Sequence, residues 1–131
     1  MKMTVQQVID RTLVIAAIIR EQRPMPQKGK YRLARMHAKL LPEFNTATAK
    51  RDELIRAYDN KQLDADGKPT GEHVVPDGKM PEFNAAWGPI AADVIEVDVE
   101  PVPLGYLDLG DKADGSIQAA EIITLGDLIA E

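Results

Sequence analysis

Residues 4–22 read TVQQVIDRTLVIAAIIREQ, and the reading of this stretch decides the fold. Thr4 and Gln7 match the S/T-x-x-E/Q capping box, in which each side chain satisfies an orphan amide of a helix's first turn. Val5, Val8, Ile9, Thr12, Ala16 and Ile19 recur at helical spacing. Leu13, Val14, Ile15 and Ile18 widen the apolar stripe almost to a full cylinder near its end. A helix apolar on most sides is buried on most sides. In so short a chain it lies centrally or in a subunit interface, which makes Leu13, Ile15, Ile18 and Ile19 candidate interface residues. Pro24 and Pro26 stop the helix, because a proline ring removes an amide and clashes with the preceding turn.

Working outward, residues 24–29 read as a linker and Lys30 to Tyr58 as a second helix. Leu33, Leu40, Ala47 and Leu54 recur every seven residues, a seam suited to packing on another helix at a shallow angle. Pro42 inside this pattern predicts a kink or break near Leu41. Asn60 to Gly78 is polar and rich in turn residues, with Val74-Val75 as a short strand of a loose hairpin. Pro81 opens a short helix that puts Phe83 and Trp87 on one face and ends at Gly88-Pro89. Residues 94–99 alternate strictly, Ile95, Val97 and Val99 to one side and Glu96, Asp98 and Glu100 to the other, the signature of a half-buried strand. Pro101 and Pro103 make it an edge or turn it sharply. Residues 116–131 carry two readings. One is a single helix capped by Ser116. The other, preferred because Gly126 weakens a continuous helix, is a strand over 120–123 and a final helix capped by Thr124. The expected fold class is α+β, mainly α, in one domain: a helical hairpin over 4–58, a polar loop over 60–78 and an α/β C-terminal part over 79–131.

Composition removes several function classes. A chain of 131 residues fits one domain. It has no cysteine, one serine (Ser116) and two histidines (His37 and His73), which leaves no thiolate chemistry and little for a serine triad or a histidine-rich metal centre. The longest apolar run, Leu13 to Ile19, is seven residues, against the roughly 20 a membrane-spanning helix needs. No secretory signal is visible and a cytosolic location is expected. The net charge of −5 hides a division, with twelve Lys/Arg and six Asp/Glu in residues 1–60 against four and fifteen in 61–131. Such asymmetry points to an anionic partner for the basic end, or to two halves that neutralise each other. The small size of the chain favours the second.

Arg20, Arg23, Lys28, Lys30, Arg32, Arg35 and Lys39 form the candidate anion- or partner-binding cluster. Arginine forks suit phosphate, but Tyr31 is the lone aromatic nearby and the chain's pI of about 5.1 argues against nucleic acid. Glu96, Asp98 and Glu100 form a candidate acidic face for a divalent cation or a basic partner, against the simpler reading of a solvated strand face. Asp64-x-Asp66-Gly67 opens like a calcium loop, but the twelfth position is Val75, so a turn is the reading. Asp108, Asp111 and Asp114 read the same way. His37 and His73 lack a nucleophile to serve. Phe83 and Trp87 are core residues, or interface anchors. No phosphate-binding or dinucleotide motif is present. No catalytic set, metal site or cofactor is expected.

Four pieces resemble a family of short, uncharacterised proteins encoded by tailed bacteriophages and prophages: MKMTVQQVIDRTL (1–13), KGKYRLARMHAKLLPEFNTATAKRDELIRAYD (28–59), MPEFNAAWGPIAADVIEVDVE (80–100) and ITLGDLIA (123–130). The resemblance is one of layout: a long charged helix ending in an ELI…Y pattern, a polar loop, a short helix and an acidic strand. Pro42 and Gly88-Pro89 depart from it, and so does the short C-terminal helix. It implies a viral origin and a non-enzymatic role. The expected function is a small phage-type binding protein, acting on a host protein or its ligand in the cytoplasm of an infected bacterium. Two alternatives stay open: a virion or assembly component, and an anion or nucleotide binder working through the basic helix face. A homo-oligomer is expected, with the apolar excess of the first helix shared between copies.

Overall fold

The computed structural model describes residues 1–58, 77–107 and 118–130, and its architecture is mainly α with small sheets. Expectations for Val74-Val75, Asp64-Asp66, His73, Asp108-Asp111-Asp114 and Ser116 lie outside these residues. After strand β1 (Lys2–Thr4), helix α1 spans Val5–Arg20. Its capping box forms as the sequence predicts: the Gln7 amide donates to Thr4 Oγ1 at 3.1 Å, and the Thr4 amide donates to Gln7 Oε1 at 2.9 Å. Thr4→Ala is expected to lower stability by about 1 kcal/mol, read as a urea midpoint shift with an unchanged slope. The chain reverses through Gln22, which takes a positive φ of 50°.

Helix α2 runs from Gln27 to Tyr58, earlier than the expected start, because the Gly29 and Lys30 amides already donate to the Pro26 carbonyl at 3.0 and 3.2 Å. It also runs unbroken through Pro42, so the break that the proline allows does not occur. Proline leaves a carbonyl one turn earlier without its donor. Here Ala38 and Pro42 are on the exposed side, where water replaces that donor, while Leu40 and Ala47 anchor the helix on either side of the proline. The same holds for α3 (Met80–Ala91), which passes through Gly88-Pro89 instead of ending there. Pro89 is exposed, and buried Trp87 and half-buried Ile90 hold the helix across it.

Strand β2 is confined to Val94–Glu96, shorter than the predicted 94–99, because β1 offers only three residues to pair with. The two are antiparallel, Met3 opposite Ile95. The Met1 ammonium donates to the Val97 carbonyl at 2.8 Å, and the Val97 amide donates to the Met1 carbonyl at 2.9 Å. The alternation still holds: Val97 is buried, and Glu96, Asp98 and Glu100 are exposed. Strand β3 (Val102–Pro103) pairs in parallel with β4 (Ile129–Ala130).

The C-terminal segment follows neither reading. Residues 120–123 are helical within α4 (Ala119–Leu125), and Thr124 lies inside that helix, its hydroxyl donating to the Ala120 carbonyl at 3.1 Å. The cap is Gln118, with Glu121 closing the box on its amide. Gly126 ends α4 at φ 53° and ψ −123°, a backbone conformation that glycine alone adopts readily. A 3-10 turn, Gly126–Leu128, then leads to β4.

Two apolar clusters hold these elements together. In the larger, Val8, Ile15 and Ile18 of α1 meet Leu33, Met36 and Leu40 of α2, closed by Val97, Val102, Leu107, Leu125 and Leu128. In the smaller, Ile9 and Ala47 meet Phe83 and Trp87 of α3. Phe83 also stands edge-on to Tyr58, with ring centroids 6.5 Å apart. Among the described residues no helix is long and apolar enough to cross a membrane.

Candidate functional site

Around its axis α2 presents three faces. The Leu33–Leu40–Ala47 seam is buried as its spacing predicts. A second face carries Lys28, Arg32, Arg35 and Lys39 as a cationic stripe. The acidic residues that follow β2 cross this stripe: Asp98 lies 3.8 Å from Lys39, and Glu100 3.9 Å from Arg32. Arg32 Nη2 also donates to the Pro101 carbonyl at 3.0 Å, and the Tyr106 ring stands against Lys28 and Arg32 at 5.6 and 5.9 Å. Glu96 accepts from the Met1 ammonium at 2.9 Å, while the fold brings Arg32, Arg35 and Lys39 of the basic set to Asp98 and Glu100 of the acidic set. A cleft of about 90 Å³ lies between them, lined by Arg32, Arg35, Lys39, Asp98 and Glu100 over Met36 and Val99. The Asp98 and Glu100 side chains are 96 % and 87 % exposed, so solvent screens both pairs and each is worth about 0–1 kcal/mol.

Ion pairing between the halves recurs elsewhere. Arg11, from the otherwise apolar side of α1, is buried; its Nη2 donates to Asp127 Oδ1 at 2.9 Å and its Nε to the Thr124 carbonyl at 3.3 Å. Arg23 is bonded to Glu121 and, at 2.6 Å, to Glu21. The bond to Glu121 raises the Arg23 guanidinium above its ordinary pKa, with desolvation opposing it. Arg23 therefore ties the α1–α2 elbow to α4 rather than joining an open cationic surface. Arg20 and Lys30 are exposed.

The candidate interface residues divide. Ile15, Ile18, Phe83 and Trp87 are buried within the chain: Ile15 and Ile18 pack against α2 and the C-terminal elements, and Phe83 and Trp87 of α3 pack against Ile9 of α1 and Ala47 of α2. The surface expected to be shared between copies shrinks to Leu13 and Ile19, which are 54 % and 40 % exposed. Among the described residues, Leu13 belongs to neither apolar cluster. Ile19 instead opens onto a largely apolar pocket of about 270 Å³ at the elbow. Ile18, Met25, Leu33 and Ala34 form its remaining apolar walls, with Gln22, Arg23 and Lys30 also lining it.

That pocket adjoins a third face of α2 which the sequence reading missed. Tyr31, Ala34, Ala38 and Leu41 follow spacings of three, four and three and are all exposed, Tyr31 at 65 %. This is a second heptad seam, turned to solvent. Its spacing was visible in the sequence, but two of its four members are alanines, which weigh little in an apolar count. His37 is half-buried beside it. Compared with protein-family models, curated proteins and solved structures, the chain finds no match.

Proposed function

We propose that this chain is a phage-type protein that works by binding, without catalysis, and that its partner is a protein of the bacterial host or of the phage itself. The observation that supports this reading is the open apolar pocket at the elbow, continuous through Ala34 with the exposed seam of α2. Exposed apolar surface bordered by polar groups marks interaction sites, and an aromatic such as Tyr31 is a favoured anchor. Among the described residues, the carboxylates of the acidic half reach Arg32 and Lys39 but leave Lys28, Lys30 and Arg35 without an ion-pair partner. Anion binding in the cleft of Arg32, Arg35 and Lys39 is the weaker reading, since Asp98 and Glu100 line the same cleft and repel an anion.

Affinity capture from infected-cell lysate tests the reading, with Ile19→Glu as the control. Ile19 is already partly exposed, so the variant is expected to fold, as its circular dichroism melt will show. A stoichiometric companion retained by the native chain and lost with Ile19→Glu is the expected result. No companion sensitive to this substitution would overturn the reading. Washed virions decide the stage at which the protein acts: peptides of this chain in the particles make it an assembly component, and their absence makes it a host-directed binder.

A further inference from the structure

The elbow pocket and the outward seam of α2 form one surface with a definite electrostatic character. Tyr31, Ala34, Ala38 and Leu41 occupy alternating a and d positions of a heptad repeat. In that register Lys28 and Arg35 fall on one flank, and Lys30 and His37 on the other. These flanking positions set partner choice in paired helices, because they carry the interhelical charges. Three lysines and arginines flank the seam, and no carboxylate of α2 stands among the flanking positions 28, 30, 35 and 37. Asp98 and Glu100 share the cleft with Arg35 but face Lys39 and Arg32, so Lys28 and Lys30 carry most of the attraction. The seam spans residues 31–41, about 15 Å of helix axis at 1.5 Å per residue. At one end lies the pocket of about 270 Å³, with room for a large apolar side chain.

We propose that this surface docks an acidic amphipathic helix of the partner, packed along α2 with an apolar anchor in the elbow pocket and carboxylates facing Lys28, Lys30 and Arg35. The proposal rests on the binding reading above and adds the chemistry of the partner. Helix-in-groove recognition of this kind takes its affinity from a row of apolar anchors and its selectivity from charge complementarity along the edges. Among the described residues, a second copy of this chain does not supply such a helix. Two α2 helices paired about a two-fold axis would oppose their own cationic flanks. Of the other two surface helices, α4 has its only carboxylate engaged by Arg23, and α3 carries a single glutamate, Glu82.

Three fluorescein-labelled synthetic peptides test the proposal on the full chain by fluorescence anisotropy. The first repeats a heptad with Leu on the seam and Glu on both flanks. The second replaces the flanking Glu with Lys. The third scrambles the first at constant composition. The first peptide is expected to bind at least about tenfold more tightly than the other two, with affinity falling as salt rises. Ala38→Arg is expected to weaken it about tenfold despite the added positive charge, because the new side chain stands in the seam. Arg35→Glu should weaken it similarly. Both sites are exposed, so both variants are expected to melt like the native chain. Equal binding of the scrambled or Lys-flanked peptide would overturn the proposal, as would binding unaffected by Ala38→Arg, or no binding at all. Sedimentation showing a dimer that Ala38→Arg dissolves would overturn it in favour of a second copy. None of these outcomes touches the binding reading, which stands or falls on the Ile19-dependent companion.

Discussion

Arg11→Ala is expected to destabilise the protein by about 2–4 kcal/mol, combining the loss of charge-assisted hydrogen bonds with the cavity left by a long side-chain stem. The Arg11 side chain is only 4 % exposed, whereas its partner Asp127 is 69 % exposed. The pair is thus a buried cation held by a carboxylate that still touches water. Arg11 also bonds to Thr124, whose carbonyl lies in the last turn of α4 and has no donor within that helix. A cation at this end of a helix complements its dipole. One guanidinium therefore completes the end of α4 and fixes it against α1. Arg11→Met separates the two contributions. It keeps the length of the stem and removes the desolvated charge, so it should recover a good part of the loss, the unmet Thr124 carbonyl being what remains. Urea unfolding reads both variants. An alanine variant within about 0.5 kcal/mol of the native chain would sink this account, because surface substitutions fall in that range.

The same residue shows where sequence reading stops. Arg11 partners residues 113 and 116 positions away, so nothing local marks it out from the other cations of the first half. The capping box of Thr4 and Gln7 and the buried seam of Leu33, Leu40 and Ala47 were legible because each is complete within one helix. Pro42 does not break its helix and Pro89 does not end its own, for the opposite reason. The local rule is correct about the missing amide, but apolar anchors on both sides outweigh one lost bond. Gly126 reads locally as a weak point inside a helix, whereas it ends one, so the preferred strand over 120–123 is helix α4 instead. For the candidate site, the basic and acidic sets were legible as charge. That they face each other across a cleft depends on how 97–103 is led back over α2, which strand pairing at both ends of the segment decides.

Gly29→Ala sets two physical effects against each other, and the steric one is expected to prevail by about 2–3 kcal/mol, a large cost for one added methyl group. Gly29 lies within the first turn of α2 at a backbone conformation open to any residue, so helix propensity alone favours alanine there by about 1 kcal/mol. However, a Cβ at this position would stand 1.9 Å from the Tyr106 carbonyl oxygen and 2.8 Å from its carbonyl carbon. Both are backbone atoms, which cannot rotate away as the end of a side chain can. To make room, the 3-10 turn Leu104–Tyr106 must lift off α2. That movement takes the Tyr106 ring from Lys28 and Arg32 and draws fully buried Leu107 out of the larger cluster. Rebuilding the contact at a greater separation leaves a void, and interiors at crystal-like density tolerate voids poorly. Amide exchange distinguishes this account from a general loss of helix: protection should fall first at Leu107, whose amide closes the turn on the Leu104 carbonyl, and persist in the body of α2. A variant more stable than the native chain would show propensity to be the stronger effect, and would mean that the close approach of α2 to this turn is not a fixed feature of the fold.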